Sequence, residues 1–134
     1  MTQQHPTQRE RLTSVRSGLL HVHRALIDSE RKQYERQFGR IENSGTLLQL
    51  ILNDPWFQWL RPISGLVVQI DDWLEQDQKA PQSPDQAELL LAQARDRLKP
   101  DAAGADFQRR YARLLQEDPA VAVAHAEVRH LVNA

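Results

Sequence analysis

Five apolar side chains, Leu12, Val15, Leu19, Val22 and Leu26, recur at alternating spacings of three and four. Residues three and four apart share a helix face, so this spacing predicts one continuous stripe along an α-helix. A second line, Leu20, Ile27, Tyr34 and then Phe38, lies about 100° round the same axis. Thr7 with Glu10 three residues later reads as a capping box, the hydroxyl accepting from a free first-turn N–H while the carboxylate reaches back. Gly39 is the natural left-handed residue to end the run. The result is a helix of about 31 residues, roughly 46 Å long at 1.5 Å per residue.

Proline and glycine then punctuate a series of shorter helices. Ser44 is placed as the cap of a second helix carrying Leu47, Leu48, Leu50, Ile51 and Leu52. That helix is apolar nearly all round and is expected to be buried on several sides, so that Ile51→Ala would cost about 2–5 kcal/mol. Asp54-Pro55 reads as an N-cap with proline at the first helical position. Pro62 demands a kink or a fresh start, after which Ile63, Leu66, Val67, Ile70, Trp73 and Leu74 share a face. A polar loop at 77–83 precedes Ser83-Pro84-Asp85-Gln86, a cap, an N1 proline and a capping-box glutamine. The fourth face is Ala87, Leu90, Leu91, Ala94 and Leu98, ended by Pro100. Phe107, Tyr111, Leu114 and Leu115 define a fifth helix with Arg109, Arg110 and Arg113 opposite, and Asp118-Pro119 starts a last one. No segment alternates apolar and polar residues with β-branched enrichment. The expected fold is all-α, a bundle of about five to six helices with one long N-terminal helix. Residues 1–6 are read as a flexible tail and 7–134 as a single helical domain.

Composition narrows the function classes. The 134 residues carry 17 Lys+Arg against 18 Asp+Glu, so no global field draws in nucleic acid or an anionic membrane. No apolar run approaches the roughly 20 residues that span a bilayer, and residues 1–11 lack the apolar stretch of a secretory signal. With no cysteine, disulfides and thiolate chemistry are excluded, and a cytoplasmic location is the expectation. Phosphate-cradling glycine loops, Gly-x-Ser-x-Gly and His-Glu-x-x-His are absent. Glu127-x-x-His130 has no second copy, as a di-metal bundle would require. His21 and His23, two apart on a helix, point away from each other. No catalytic residue, metal ligand or cofactor is assigned.

Two features remain as candidate sites. His23 and Glu30 lie about 20° apart round the first helix, between its two apolar lines and beside Tyr34. Ionisable groups on an inward arc are costly unless paired or hydrogen-bonded. They are either metal ligands, an acid/base pair or the polar floor of a ligand pocket, or a satisfied core histidine with Glu30 reaching outward or pairing with an arginine of another helix. The second feature is the corner Trp56-Phe57-x-Trp59-Leu60-Arg61-Pro62, which holds three of the eight aromatic residues. Aromatic side chains beside arginine are interface-like composition, so Trp56, Phe57, Trp59 and Arg61 are the candidate interaction surface. Phe57 and Trp59 are expected to pack inward, with Trp56 partly exposed beside the Asp54 cap. Charge is also split: residues 1–40 carry eight Lys/Arg and four Asp/Glu, a net of +4, and residues 41–80 carry two and six, a net of −4. Such a split could dock a partner or a second copy.

Leu20-x-x-His23-x-Ala25-Leu26, Glu30-x-x-x-Tyr34-Glu35, Leu47-Leu48-Gln49-Leu50 and Asn53-Asp54-Pro55-Trp56-Phe57-x-Trp59-Leu60-Arg61-Pro62 together resemble a group of uncharacterised bacterial all-helical proteins. The resemblance covers roughly residues 19–75 and is most specific at the Asp-Pro-Trp-Phe corner. It implies a bacterial source and carries no activity or site. The sequence therefore reads as a non-enzymatic helical protein acting through a protein partner or as a homodimer, without nucleic acid. The alternative is a small-ligand or metal-binding bundle centred on His23 and Glu30.

Overall fold

A computed structural model describes residues 7–133; the expected N-terminal tail, residues 1–6, lies outside them. Six α-helices follow in order: α1 (Gln8–Phe38), α2 (Ser44–Asn53), α3 (Arg61–Lys79), α4 (Pro84–Arg97), α5 (Asp106–Glu117) and α6 (Pro119–Val132), with a 3₁₀ corner at Pro55–Leu60 between α2 and α3. There is no strand among the described residues.

Helix α1 is the spine. All five side chains of its stripe are buried, and each buried Val or Leu contributes about 1.5–3 kcal/mol by leaving water. Thr7 Oγ1 accepts from the Glu10 N–H at 3.1 Å, as the capping reading requires. Gly39 ends the helix at φ 99°, ψ 170°, a positive-φ conformation open to glycine but more extended than the left-handed helical one expected. Beyond it, the Ile41 N–H donates to Glu35 Oε2 at 2.8 Å and Arg31 Nη2 donates to the Ile41 carbonyl at 3.2 Å. These bonds fold the connection back so that Ile41 is buried.

Helices α3 and α6 run antiparallel to α1, with α4 packed against all three. Arg9 pairs with Asp77 (3.2 Å) and Arg16 with Asp71 across α1 and α3, while Arg11 meets Glu88 of α4 at 2.9 Å. Part of the opposed charge of the two sequence segments is thus taken up inside the chain. On the α6 side, Gly18 stands against Val128 and Leu131, and His21 lies 3.6 Å from Glu127. Helix α5 packs on α6 and on the 3₁₀ corner. The hydroxyl of fully buried Tyr111 finds its hydrogen-bond partner in His125 Nδ1 of α6, 2.6 Å away.

Four local expectations need correction. The cap of α2 is Asn43, whose Oδ1 accepts from the Thr46 N–H at 2.8 Å, and Ser44 is already helical. Helix α2 contributes no buried residue. It is three turns long and leans mainly on the 3₁₀ corner, so Leu47, Leu50 and Ile51 are half-buried against the core while Leu48 and Leu52, on the far side, are each 54% exposed. Ile51→Ala accordingly removes less burial than a core truncation. At α4, Ser83 precedes the helix but makes no side-chain capping bond; its carbonyl accepts from Trp73 Nε1 at 3.4 Å. The polar loop is also shorter than expected, because α3 continues to Lys79. Pro62 stands in the first turn of a fresh helix, α3.

The approach of α6 to α1 at Gly18 generates a test. A Cβ on Gly18 would fall 2.6 Å from Val128 Cγ2 and 2.9 Å from its Cβ, inside van der Waals contact. Gly18→Ala gains about 1 kcal/mol in helix propensity but forces α1 and α6 apart, a strain of about 1–3 kcal/mol. Urea unfolding should show Gly18→Ala net destabilised, and adding Val128→Ala should cost less in that background than in the wild type. A stabilised Gly18→Ala protein would show that the two helices part freely.

Candidate functional site

The stripe of α1 changes character in its second half. Extending its seven-residue recurrence, Val15 and Val22 lead to Ser29, and Leu12, Leu19 and Leu26 lead to Gln33. Beside these stands Glu30, only 4% exposed. Where apolar side chains would continue the core, the helix presents a hydroxyl, an amide and a carboxyl. The 3₁₀ corner covers this stretch from one side and α5 from another, and between them opens a cleft of about 990 Å³. Its lining includes Glu30 and Gln33 of α1, Trp56 of the corner, and Arg110 and Arg113 of α5.

The corner is held by local chemistry. Asp54 Oδ1 accepts from the Trp56 N–H at 2.9 Å, which sets the turn that Pro55 begins. Phe57 is buried, as is Trp59 at 7% exposure, whereas Trp56 is half-buried. Trp56 Nε1 donates to the Glu30 backbone carbonyl at 3.3 Å. Its ring stands edge-on to Tyr34 (5.9 Å) and Phe38 (5.8 Å), so Tyr34 supports the corner from α1. Trp59 packs on Phe107 of α5 at 5.7 Å, and the Arg110 guanidinium lies 5.9 Å from its ring centroid, within cation–π range. Of the four residues expected to form an interaction surface, Phe57 and Trp59 belong to the core, Trp56 is shared between core and cleft, and Arg61 is exposed.

Glu30 sits under opposing forces. Burial pushes its carboxyl above the ordinary glutamate range, because desolvation penalises the charged form. Against this act the Trp59 indole N–H, then the charges of Arg113 and Arg110, then Trp56. The Trp59 N–H lies near enough to favour the carboxylate, yet it is buried and closes no hydrogen bond of normal geometry. Arg110 Nε pairs with Asp106 at 3.1 Å and Arg113 Nε with Glu117 at 3.9 Å, so both guanidiniums act on Glu30 at longer range.

His23 stands apart. It lies two turns from Glu30, about 10 Å along α1, and is not part of the cleft lining. It is half-buried, and burial pushes its imidazole below the ordinary range. The pair expected from sequence is therefore divided, with Glu30 at the cleft and His23 outside it. Among the described residues no group of three or more His, Cys, Asp or Glu is placed to hold a metal ion. On sequence spacing alone the arginines of α5 fall opposite its apolar face, yet in the fold they border the cleft. Their one-sided spacing at 109, 110 and 113, a turn after Asp106, was the available signal. Comparison with known protein families, curated proteins and solved structures gives no match.

A raised carboxyl pKa in the folded state has a definite sign in stability. The contribution of Glu30 is whole below its unfolded pKa and is lost as pH rises through the folded one. Glu30→Gln abolishes that dependence. Urea unfolding of both proteins between about pH 4 and about pH 7 should therefore show the variant gaining stability relative to wild type as pH rises. A pH-independent difference would contradict the buried, ionisable Glu30.

Proposed function

We propose that this protein is a small-molecule-binding helical bundle whose site is the cleft over Glu30, working by reversible binding without covalent chemistry. One observation carries the reading. A residue only 4% exposed turns its carboxyl to an open cleft, and the indole N–H of Trp59, buried outside the cleft lining, lies near that carboxyl without a bonded acceptor. Buried polar groups are normally paired, and leaving one unpaired costs about 1–3 kcal/mol. A fold that keeps such a cost beside an opening is arranged for a group that arrives from outside.

The test is a fragment titration followed by ¹H–¹⁵N NMR of the tryptophan indole N–H signals, assigned by single Trp→Phe substitution. Binding in the cleft should move the Trp59 and Trp56 signals and leave that of Trp73, buried against α4's start, in place. If no member of a chemically broad library moves Trp59, the cleft is structural only.

The outer face of α2 supports a second reading, self-association. Leu48 and Leu52 are each 54% exposed, and Phe38, which stands against Trp56 of the adjoining 3₁₀ corner, is 60% exposed. These residues, not the buried Phe57 and Trp59, would make the contact. Light scattering after size-exclusion chromatography should then show a dimer that Leu48→Glu dissociates; a wild-type monomer at high micromolar concentration removes this reading.

A further inference from the structure

We propose that the Glu30 cleft takes a zwitterionic α-amino acid with an apolar side chain, its ammonium on the Glu30 carboxylate and its carboxylate among the arginines of α5. The inference rests on the cleft being a ligand site and names the ligand's chemistry.

The inward end follows from Glu30, which borders the cleft although it is 4% exposed. The donors around it are spent elsewhere. Trp56 Nε1 donates to the Glu30 backbone carbonyl, Arg110 Nε to Asp106, and Arg113 Nε faces Glu117. Among the described residues no side chain bonds the Glu30 carboxyl at hydrogen-bond geometry. A carboxylate only accepts hydrogen bonds, so what it lacks is a donor, and a charged donor offsets burial most. An ammonium brings three N–H donors and the opposite charge.

The outward end follows from how charge is divided between floor and rim. At the rim Arg109, Arg110 and Arg113 stand against Asp106 and Glu117, a surplus of one positive charge, on side chains about half exposed. Deeper in, Glu30 holds one negative charge. The cleft is therefore neutral as a whole but dipolar. A cation would cancel Glu30 and leave the rim surplus uncompensated; an anion would meet the rim and leave Glu30 unpaired. A zwitterion neutralises both ends. The surplus is also local: Asp106 Oδ1 accepts from Arg109 Nη2 at 2.9 Å and from Arg110 Nε at 3.1 Å, so two guanidiniums share one oxygen. Exposed pairs of this kind are weak, and an arginine fork suits a second carboxylate. Arg110 belongs to that shared pair and its charge acts on Glu30. The ligand's two charges must lie equally close, as they do on one α-carbon. Pro55, Trp56 and Leu114 give the cleft an apolar wall for the side chain, with Trp56 held by its own N–H and braced by Tyr34 and Phe38.

Isothermal titration with L-phenylalanine, phenethylamine and 3-phenylpropionate presents one apolar group with both charges, the cation alone and the anion alone. L-phenylalanine should bind about tenfold or more tighter than either analogue, since each lacks one charged contact. Arg110→Gln should weaken L-phenylalanine about tenfold and leave phenethylamine no weaker. Glu30→Gln should weaken L-phenylalanine and phenethylamine but not 3-phenylpropionate; if that variant fails to fold, Arg110→Gln carries the test. L-phenylalanine should also lower the midpoint at which the Glu30 carboxyl titrates, because a nearby ammonium favours the charged form. Phenethylamine binding as tightly as L-phenylalanine would overturn the outward carboxylate, and 3-phenylpropionate binding as tightly would overturn the inward ammonium. If L-phenylalanine leaves the Trp56 indole signal unmoved at millimolar concentration while other fragments shift it, the ligand class is wrong and the cleft reading stands. If nothing shifts Trp56 or Trp59, both fall.

Discussion

The apolar stripe from Leu12 to Leu26 fixes where the other helices can lie. Helices α3, α4 and α6 pack against it, and their own buried faces, among them Ile63, Leu66, Ile70, Leu91, Val121 and Val128, close one core around α1. The tightness of that core is set at Gly18, where the absence of a side chain lets α6 approach. Interiors packed to this density transmit small changes of volume, so the placement of α6, and of α5 bonded to it through Tyr111 and His125, depends on that contact. The arginines that border the cleft ride on α5. Helix packing near one end of α1 thus helps set the geometry of the polar site toward the other.

The site is the place where this packing logic is broken. Ser29, Glu30 and Gln33 interrupt the stripe, and the corner built by Asp54 and Pro55 brings two tryptophans over the gap. Burial works against the Glu30 charge; two indole N–H groups and two guanidiniums work for it. None of these partners comes close to a full ion pair with the carboxylate, since Arg110 and Arg113 bond to Asp106 and Glu117. A buried ionisable group kept with partial compensation is poor for stability, and such groups collect at functional sites.

Much of this was legible in the sequence, because helix ends and buried faces are written in local spacing. The bounds of α1, the restart at Pro62, the inward faces of α3 and α4 and the start of α6 follow from periodicity, caps and prolines, which act over one or two turns. What local spacing does not contain is the number of sides on which a helix is covered. Helix α2 is apolar nearly all round, yet it is covered on one side only, and Leu48 and Leu52 face outward. Pairings across long separations were hidden for a related reason. Glu30 was marked as an inward ionisable residue, but Arg110 and Arg113 lie some eighty positions away, on what read as the outer face of α5. The opposed charges of the first two segments suggested a partner, while Arg9–Asp77 and Arg16–Asp71 spend part of them within the fold.

The coupling between Glu30 and Trp59 is the centre of the account and can be read directly. In protein carrying ¹³C-labelled glutamate and ¹⁵N-labelled tryptophan, the Glu30 carboxyl carbon should titrate above the ordinary glutamate range. The Trp59 indole N–H should shift with the same midpoint, since it faces the carboxylate. A Glu30 carboxyl that titrates like a surface glutamate, with a Trp59 signal that does not respond, would contradict the buried pair on which the cleft is built.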